Sequence, residues 1–399
     1  MIGSQFEEFA SAMAARPRGP EAGSALRFDR IAVLGGGADA LMLAALCLAE
    51  GAAVTLFSAY GAELEQLRRA GGVTLRGEGP IGTFQTDRDG APSIRTTGEL
   101  DAAVGMAQAI FLTGPVHKQR TYAMVLAEHL KDGQVLVIAP GRTLGAAEAA
   151  WLLRVGGCKA DITIVEAQGL PFWIDANGAR LNLAAAGPIA AATLPAGRPE
   201  VLTALQRFLP NIQPAIGTIH SGFMDGSGLV EVPALLLGGA AMGDGGPAIP
   251  MGGVPLDENR SFRALIGPGQ ASVIARLAAE RRKVAARFGV RDLPDDDTWI
   301  ATHAGASRGP GRRPVPDTKA SAGIIRCATI GSLAPLASAA RIAGIDAPAT
   351  QAMITLASTV LGADIGPAGR RLDAIGIDAT NLDEARRVLD AIAGASRHG

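Results

Sequence analysis

The segment from Ile31 to Phe57 constrains this chain more than any other. Ile31-Ala32-Val33-Leu34 is a short apolar run, with charge before it at Asp29-Arg30 and three glycines after it, Gly35-Gly36-Gly37. Helical spacing follows from Ala38 to Glu50, Gly51 stops it, and a second apolar run occupies Ala53 to Phe57. Strand, glycine turn, helix and strand within about thirty residues make up the unit that a right-handed parallel crossover needs.

Inside that unit, Gly35-x-Gly37-x-x-Ala40 fits the G-x-G-x-x-G/A pattern directly after a strand and at the opening of a helix. The first glycine permits the tight turn, and the second lets backbone N–H groups approach a pyrophosphate. Ala40 allows close helix–strand packing, and the helix N-terminus supplies positive partial charge. Gly35, Gly36, Gly37, Ala38, Asp39 and Ala40 therefore read as a dinucleotide cradle. A bare tight turn is the alternative reading. Ser58 stands at the end of the second strand, where an NAD-selective site carries an acid for the ribose hydroxyls. Serine does not repel a 2′-phosphate, which tilts the expectation toward NADP. No arginine follows at once to bind that phosphate, so NAD stays open.

Further strands are expected at Val73–Leu75, Ala109–Leu112, Val135–Ala139 and Ile162–Glu166, with helical stretches at Ala59–Ala70, Arg120–Leu130 and Leu144–Val155. Alternation of this kind predicts an α/β fold, a doubly wound parallel sheet of Rossmann type. Thr113-Gly114-Pro115 follows one strand, with His117 just beyond, and Pro140-Gly141-Arg142-Thr143 follows the next. Both sit at carboxyl ends, where ligands gather in such sheets. Thr113, Gly114, Pro115 and His117 are expected over nicotinamide, ribose or substrate; an ordinary βα turn is the plainer alternative.

After about Pro195 helical spacing dominates: Glu200–Phe208, Val230–Ala241, Gly269–Phe288, Ser332–Ala343 and Ala347–Leu361, with glycine- and proline-rich loops at 243–256 and 305–317. The chain thus divides into a flexible lead-in (1–27), a dinucleotide-binding domain (28–200) and a mainly α-helical substrate domain (201–399).

Composition narrows the partners. With 19% charged residues and a net charge of −1, nothing marks a surface for nucleic acid or anionic membrane. No apolar run is long enough to span a bilayer, and residues 1–27 lack a secretory pattern. The three cysteines are far apart, which suits a reducing cytoplasm, and the histidines and carboxylates show no metal-ligand spacing. A small-molecule substrate is the expected partner.

Longer landmarks add a resemblance. Gly35-Gly36-Gly37, Arg69-Ala70-Gly71-Gly72-Val73, Leu130-Lys131-Asp132-Gly133-Gln134-Val135 and Pro140-Gly141-Arg142 are followed by Glu166-Ala167-Gln168-Gly169-Leu170-Pro171-Phe172. Leu333-Ala334-Pro335-Leu336, Arg341-Ile342-Ala343-Gly344 and Gly369-Arg370-Arg371-Leu372 close the series. In order and spacing the chain resembles the octopine/nopaline (opine) dehydrogenase family from about residue 30 to about 377. The resemblance implies a Rossmann domain and a helical domain, with substrates in the cleft between them and a homodimer formed through the helical domain. It also implies NAD(P)H-dependent reduction of the imine between a keto acid and an amino acid.

The chain departs from the family where chemistry is most constrained. The family's N-x-N-x-x-x-H-P-P pattern falls on Asp225, Ser227 and Glu231, so glutamate stands where the proton-transferring histidine would be. The partner acid of that histidine is lost as well, with Arg326-Cys327-Ala328-Thr329-Ile330 in its place.

Hydride reduction of C=N or C=O needs a proton source nearby. Glu231 lies in an apolar run with no basic neighbour in sequence, and a carboxyl group so placed holds its proton if buried. It is the first candidate acid/base, against a helix-start glutamate. Asp225 is the second, as an orienting or amine-binding group, against a turn residue. His220 could stand in as base from a neighbouring turn. His303 is a weaker candidate, and Asp295-Asp296-Asp297 reads as a helix cap. Arg326 could clamp a substrate carboxylate. Three functions stay in view: an opine-like dehydrogenase acting on C–N bonds, a 2- or 3-hydroxy acid dehydrogenase acting on C–O bonds, and a dinucleotide-binding sensor or partner subunit without turnover.

Overall fold

The computed structural model describes residues 26–238, 261–377 and 379–394. Most of the expected lead-in and the 243–256 loop lie outside those residues. The first half is built on an eight-stranded sheet in the order β12-β11-β8-β7-β6-β1-β2-β5. The strands are β1 (Arg30–Leu34), β2 (Ala53–Phe57), β5 (Ile94–Thr97), β6 (Ala109–Leu112), β7 (Val135–Ile138), β8 (Thr163–Ala167), β11 (Ile189–Leu194) and β12 (Ile212–Pro214). All neighbours run parallel except β8 and β11. Every residue of β6 is wholly buried, as a strand covered by helices on both faces must be.

The order reverses at β1. From there the chain goes to β2 on one side and later returns to β6 on the other, with Leu34 facing Phe57 and Leu112. That reversal opens a crevice at the carboxyl ends of β1 and β6, the place where sheets of this type take ligands.

The expected α/β architecture is found, with two additions. Val73–Leu75 does not join the main sheet. It belongs to a second, four-stranded sheet of β4 (Gly82–Gln85), β3 (Gly72–Gly77), β10 (Arg180–Ala185) and β9 (Phe172–Asn177). The main sheet also continues past residue 200 to β12 at Ile212–Pro214.

Beyond it the chain is helical. Helix Ser227–Gly238 is buried along most of its length and packs against helices Pro268–Arg287, Asp296–Ala304 and Thr318–Ala328. Asp295 caps Asp296–Ala304, its Oδ1 accepting from Thr298 N at 2.7 Å, as the aspartate triplet predicts. Thr318–Ala343 forms one helical run with a π-helical turn at Thr329–Leu333. Its length and composition suit a membrane span, but it is mostly buried inside the protein, as a core helix is.

Candidate functional site

The turn after β1 is shaped by its glycines. Gly35 takes φ +128°, which a side chain would oppose, and donates its N–H to Phe57 O at 2.9 Å. Gly37 caps helix Ala38–Ala49 in extended backbone, and no side-chain hydrogen bond caps that end. Nothing lies within 4 Å of where a Cβ on Gly37 would be. Beside the turn, at the end of β6, the Thr113 hydroxyl is buried and has no hydrogen-bond partner among the described residues. An open turn, an uncapped helix end and an orphan hydroxyl are what a dinucleotide's pyrophosphate and ribose would satisfy. Pro115 then starts helix Val116–Leu126, and buried Gln119 donates to both Gly114 O (3.1 Å) and Pro140 O (3.0 Å), tying the turns after β6 and β7 together.

The turn after β7 carries a residue that sequence reading left out of the site. Arg142 sits at φ +59°, with Leu144 at φ +61°, left-handed backbone that side chains rarely adopt. The turn is held by Glu166 at the end of β8. Its carboxyl accepts from Ala146 N (2.9 Å) and Ser221 Oγ (2.7 Å), and from Gln168 Nε2, which also reaches Arg142 O. Burial pushes Glu166 up to about 7, against the pull of those hydrogen bonds and of Arg370.

Arg142 enters a cleft of about 580 Å³ between the two halves. Ala38 and Asp39 of the glycine turn line it on one side, with Asp225, Ser227, Glu231, His303 and Arg313 on the other. Burial raises the pKa of Asp39, and Arg142 opposes that rise. Arg142 donates to Ser227 Oγ at 2.5 Å and lies 3.7 Å from Glu231 Oε2. Arg313, buried between the rings of Trp173 (4.4 Å) and Phe262 (4.0 Å), donates to Glu231 Oε1 at 2.9 Å and to the His303 carbonyl.

Glu231 is thus buried as expected, but its setting is ionic. Two guanidinium groups from distant segments face it, so the apolar surroundings expected of it are not what the fold provides. Asp225 is no exposed turn residue either. It accepts from Thr143 N (3.1 Å), Thr143 Oγ1 (3.0 Å) and Ser227 N (3.0 Å). Burial alone would raise its pKa, but Arg281, Arg142, His303 and the bond with Ser227 bring it down to about 2.

His303, the weaker candidate in the sequence, lies in the cleft. Its Nε2 accepts from Gly226 N at 3.1 Å, which leaves the proton of the neutral ring on Nδ1. Burial holds the imidazole below its usual pKa, while Glu231 and Asp225 pull the other way.

Three expectations are corrected. His220 does not line the cleft. Its Nδ1 accepts from Ile216 N (3.4 Å) and its Nε2 lies 3.4 Å from Asp292, so it serves its own loop. Arg326 is exposed on the far side of its helix and likewise stays out of the cleft, so it clamps nothing there. His117 is exposed outside the cleft; partial burial, then Lys118, Arg326 and Arg120, lower its pKa. Arg142 and Arg313 supply the cations instead. Arg313 sits in the glycine- and proline-rich loop 305–317, beside Arg312, and no local pattern distinguishes it from a solvated pair.

No family model matches the sequence. Opine dehydrogenase of Arthrobacter sp. (strain 1C) is 23% identical over 372 residues, covering 90% of this chain and 98% of that protein. Octopine dehydrogenase in complex with NADH and agmatine superposes with a TM-score of 0.66 at 20% identity, over 93% of this chain and 99% of that one. D-mandelate dehydrogenase in complex with NADH gives 0.57 at 13% identity, over 84% and 99%. The two-part fold, Rossmann sheet followed by helices, is therefore one shared with dehydrogenases.

Proposed function

We infer, from a sequence and a fold both related to opine dehydrogenase, that this chain is an NAD(P)-dependent oxidoreductase acting on the C–N bond of a small carboxylated substrate. The observation that carries the reading is the shared cleft: the glycine turn opens onto the same cavity as two buried arginines, two carboxylates and a neutral histidine. A bound nicotinamide dinucleotide supplies or removes the hydride. Gly35 to Ala40, Ser58, Thr113, Gly114 and Pro115 are the residues proposed to hold it.

The remaining work falls to side chains of the cleft. Arg142 pairs with the substrate carboxylate, a role its planar guanidinium suits. As the substrate is oxidised, His303 Nε2 exchanges its bond with Gly226 N for the proton of the amine nitrogen, and in reduction it returns that proton to the imine nitrogen. The imidazolium formed in between is stabilised by Glu231 and Asp225, whose negative charges already pull its pKa upward. Asp225 also fixes the turn that carries Arg142, through Thr143. The water-excluding walls are Leu170, Phe172 and Trp173. We place the enzyme in the cytoplasm, where its three free thiols stay reduced, and expect a homodimer.

The test is coenzyme oxidation with a panel of keto acids, with and without amino acids. Turnover that requires both partners is the expected result. Turnover with the keto acid alone makes the chain a hydroxy acid dehydrogenase, a reading favoured by the fold it shares with D-mandelate dehydrogenase. Coenzyme binding without any turnover makes it a sensor or partner subunit.

A further inference from the structure

Ser58 occupies the position at the end of β2 where an acid would hold the adenosine ribose, and its hydroxyl is engaged. Ser58 Oγ donates to Glu63 Oε2 at 2.6 Å and accepts from Tyr60 N at 3.1 Å. Glu63 lies in the first turn of helix Gly61–Arg69, five residues beyond the usual place. Its carboxylate folds back over the glycine turn, so close that a Cβ on Gly36 would overlap it. The absent side chain at Gly36 is what lets the carboxylate lie there. Lys118 Nζ lies 3.9 Å from the other Glu63 oxygen and 4.9 Å above the Tyr60 ring, so its charge is already matched. The crevice between the turn and β2 therefore presents a carboxylate fixed in place by Ser58, with Lys118 beside it. Across the glycine turn, at the end of β6, the buried Thr113 hydroxyl has no partner among the described residues, a second polar group open to a ligand at this turn.

We propose that Glu63, held by Ser58 against Gly36, is the ribose-recognising acid of this chain and makes it selective for NAD(H) over NADP(H). The proposal rests on the dinucleotide reading above and reverses the tilt toward NADP that a serine at position 58 suggests. A carboxylate accepts hydrogen bonds from the 2′- and 3′-hydroxyls, whereas a 2′-phosphate at the same place meets the like charge of Glu63, to which the neighbouring Lys118 is already paired. Ser58 is a positioning residue in this scheme.

Binding, not turnover, tests it. The full-length protein is titrated with NADH and with NADPH, and coenzyme fluorescence gives both dissociation constants. The wild type should bind NADH at least about tenfold more tightly. Glu63→Gln should weaken NADH about tenfold and leave NADPH unchanged or tighter, so that the ratio collapses toward one; Ser58→Ala should move it the same way by less. Circular dichroism verifies that the variants fold. A wild type that binds NADPH as tightly as NADH, or a ratio that Glu63→Gln leaves intact, overturns the assignment to Glu63 while the dinucleotide site stands. Failure of the wild type to bind either coenzyme overturns both.

Discussion

At the scale of single residues, the cleft is a set of charges whose balance can be tested one at a time. His303 is the neutral member, and His303→Gln keeps much of its shape and can still face Gly226 while removing the titrating nitrogen. Turnover should fall about a hundredfold or more with coenzyme affinity unchanged, the usual scale for a proton-transferring group; an unaltered kcat would retire it. Glu231→Gln should cost a similar factor by another route, because it leaves Arg142 and Arg313 with less negative charge to face. Glu166 carries a different prediction. Its folded pKa, about 7, stands above the ordinary carboxyl value. The folded state therefore binds the extra proton, and the stability this confers is present below about pH 4.5 and lost as pH rises through 7. At full effect the loss is about 3 kcal/mol. Denaturant unfolding at pH 5 and pH 8 should show wild type weakening more than Glu166→Gln across that interval, and parallel pH profiles would contradict the assignment.

At the scale of elements, local patterns survive translation into structure and long-range pairings do not. The β1–turn–helix–β2 unit is legible because its glycines, helix and strands are consecutive in sequence. Its consequence is a clean test. Gly37 has extended backbone and open space around its missing Cβ, so Gly37→Asp should fold normally. The added carboxylate would then occupy the helix end that a pyrophosphate needs. Calorimetry should find no coenzyme binding with an unshifted melting temperature for the free protein; binding at wild-type affinity would remove the cradle from Gly35–Ala40. The four-stranded sheet, by contrast, pairs β3 with β10, more than a hundred residues away, and no window of sequence reveals such a partner. The ionic cluster is hidden for the same reason. Arg142, His303 and Arg313 come from segments far from the Asp225–Glu231 stretch and from one another, and in sequence only Asp225 and Glu231 stand out together. The glutamate read at position 231, through a resemblance, points to the helix that lines the cleft, and only the fold brings His303 to the same cleft.

At the scale of the whole molecule, the halves are held together by buried ions, with consequences for unfolding as well as for the site. Arg370, from the helical half, is almost fully buried. Its Nε donates to Glu148 at 2.7 Å, and its Nη1 donates to Gly141 O (2.9 Å) and Thr143 O (2.8 Å), on either side of Arg142. Arg120, from the sheet half, donates to Glu148 (2.8 Å) and to Ala368 O (2.7 Å). Arg281, wholly buried in the helical half, reaches Thr143 Oγ1 at 3.2 Å, beside Asp225. Arg370, Arg281 and Glu148 lost their hydration on burial and recover that cost only while the two halves stay docked. Opening the interface would expose several such groups at once, so wild type should unfold in a single calorimetric transition. Arg370→Ala leaves Glu148 one partner, Arg120, but orphans the carbonyls of Gly141 and Thr143. A loss of about 3 kcal/mol follows, with the single transition broadening or splitting in two. Because those carbonyls bracket Arg142, the same variant should raise KM for the carboxylated substrate more than it lowers kcat. A variant that melts as wild type does, with KM unchanged, would separate the interface from the site and leave the anchoring of Arg142 to Gln168, Ser227, Glu231 and, through Thr143, Asp225.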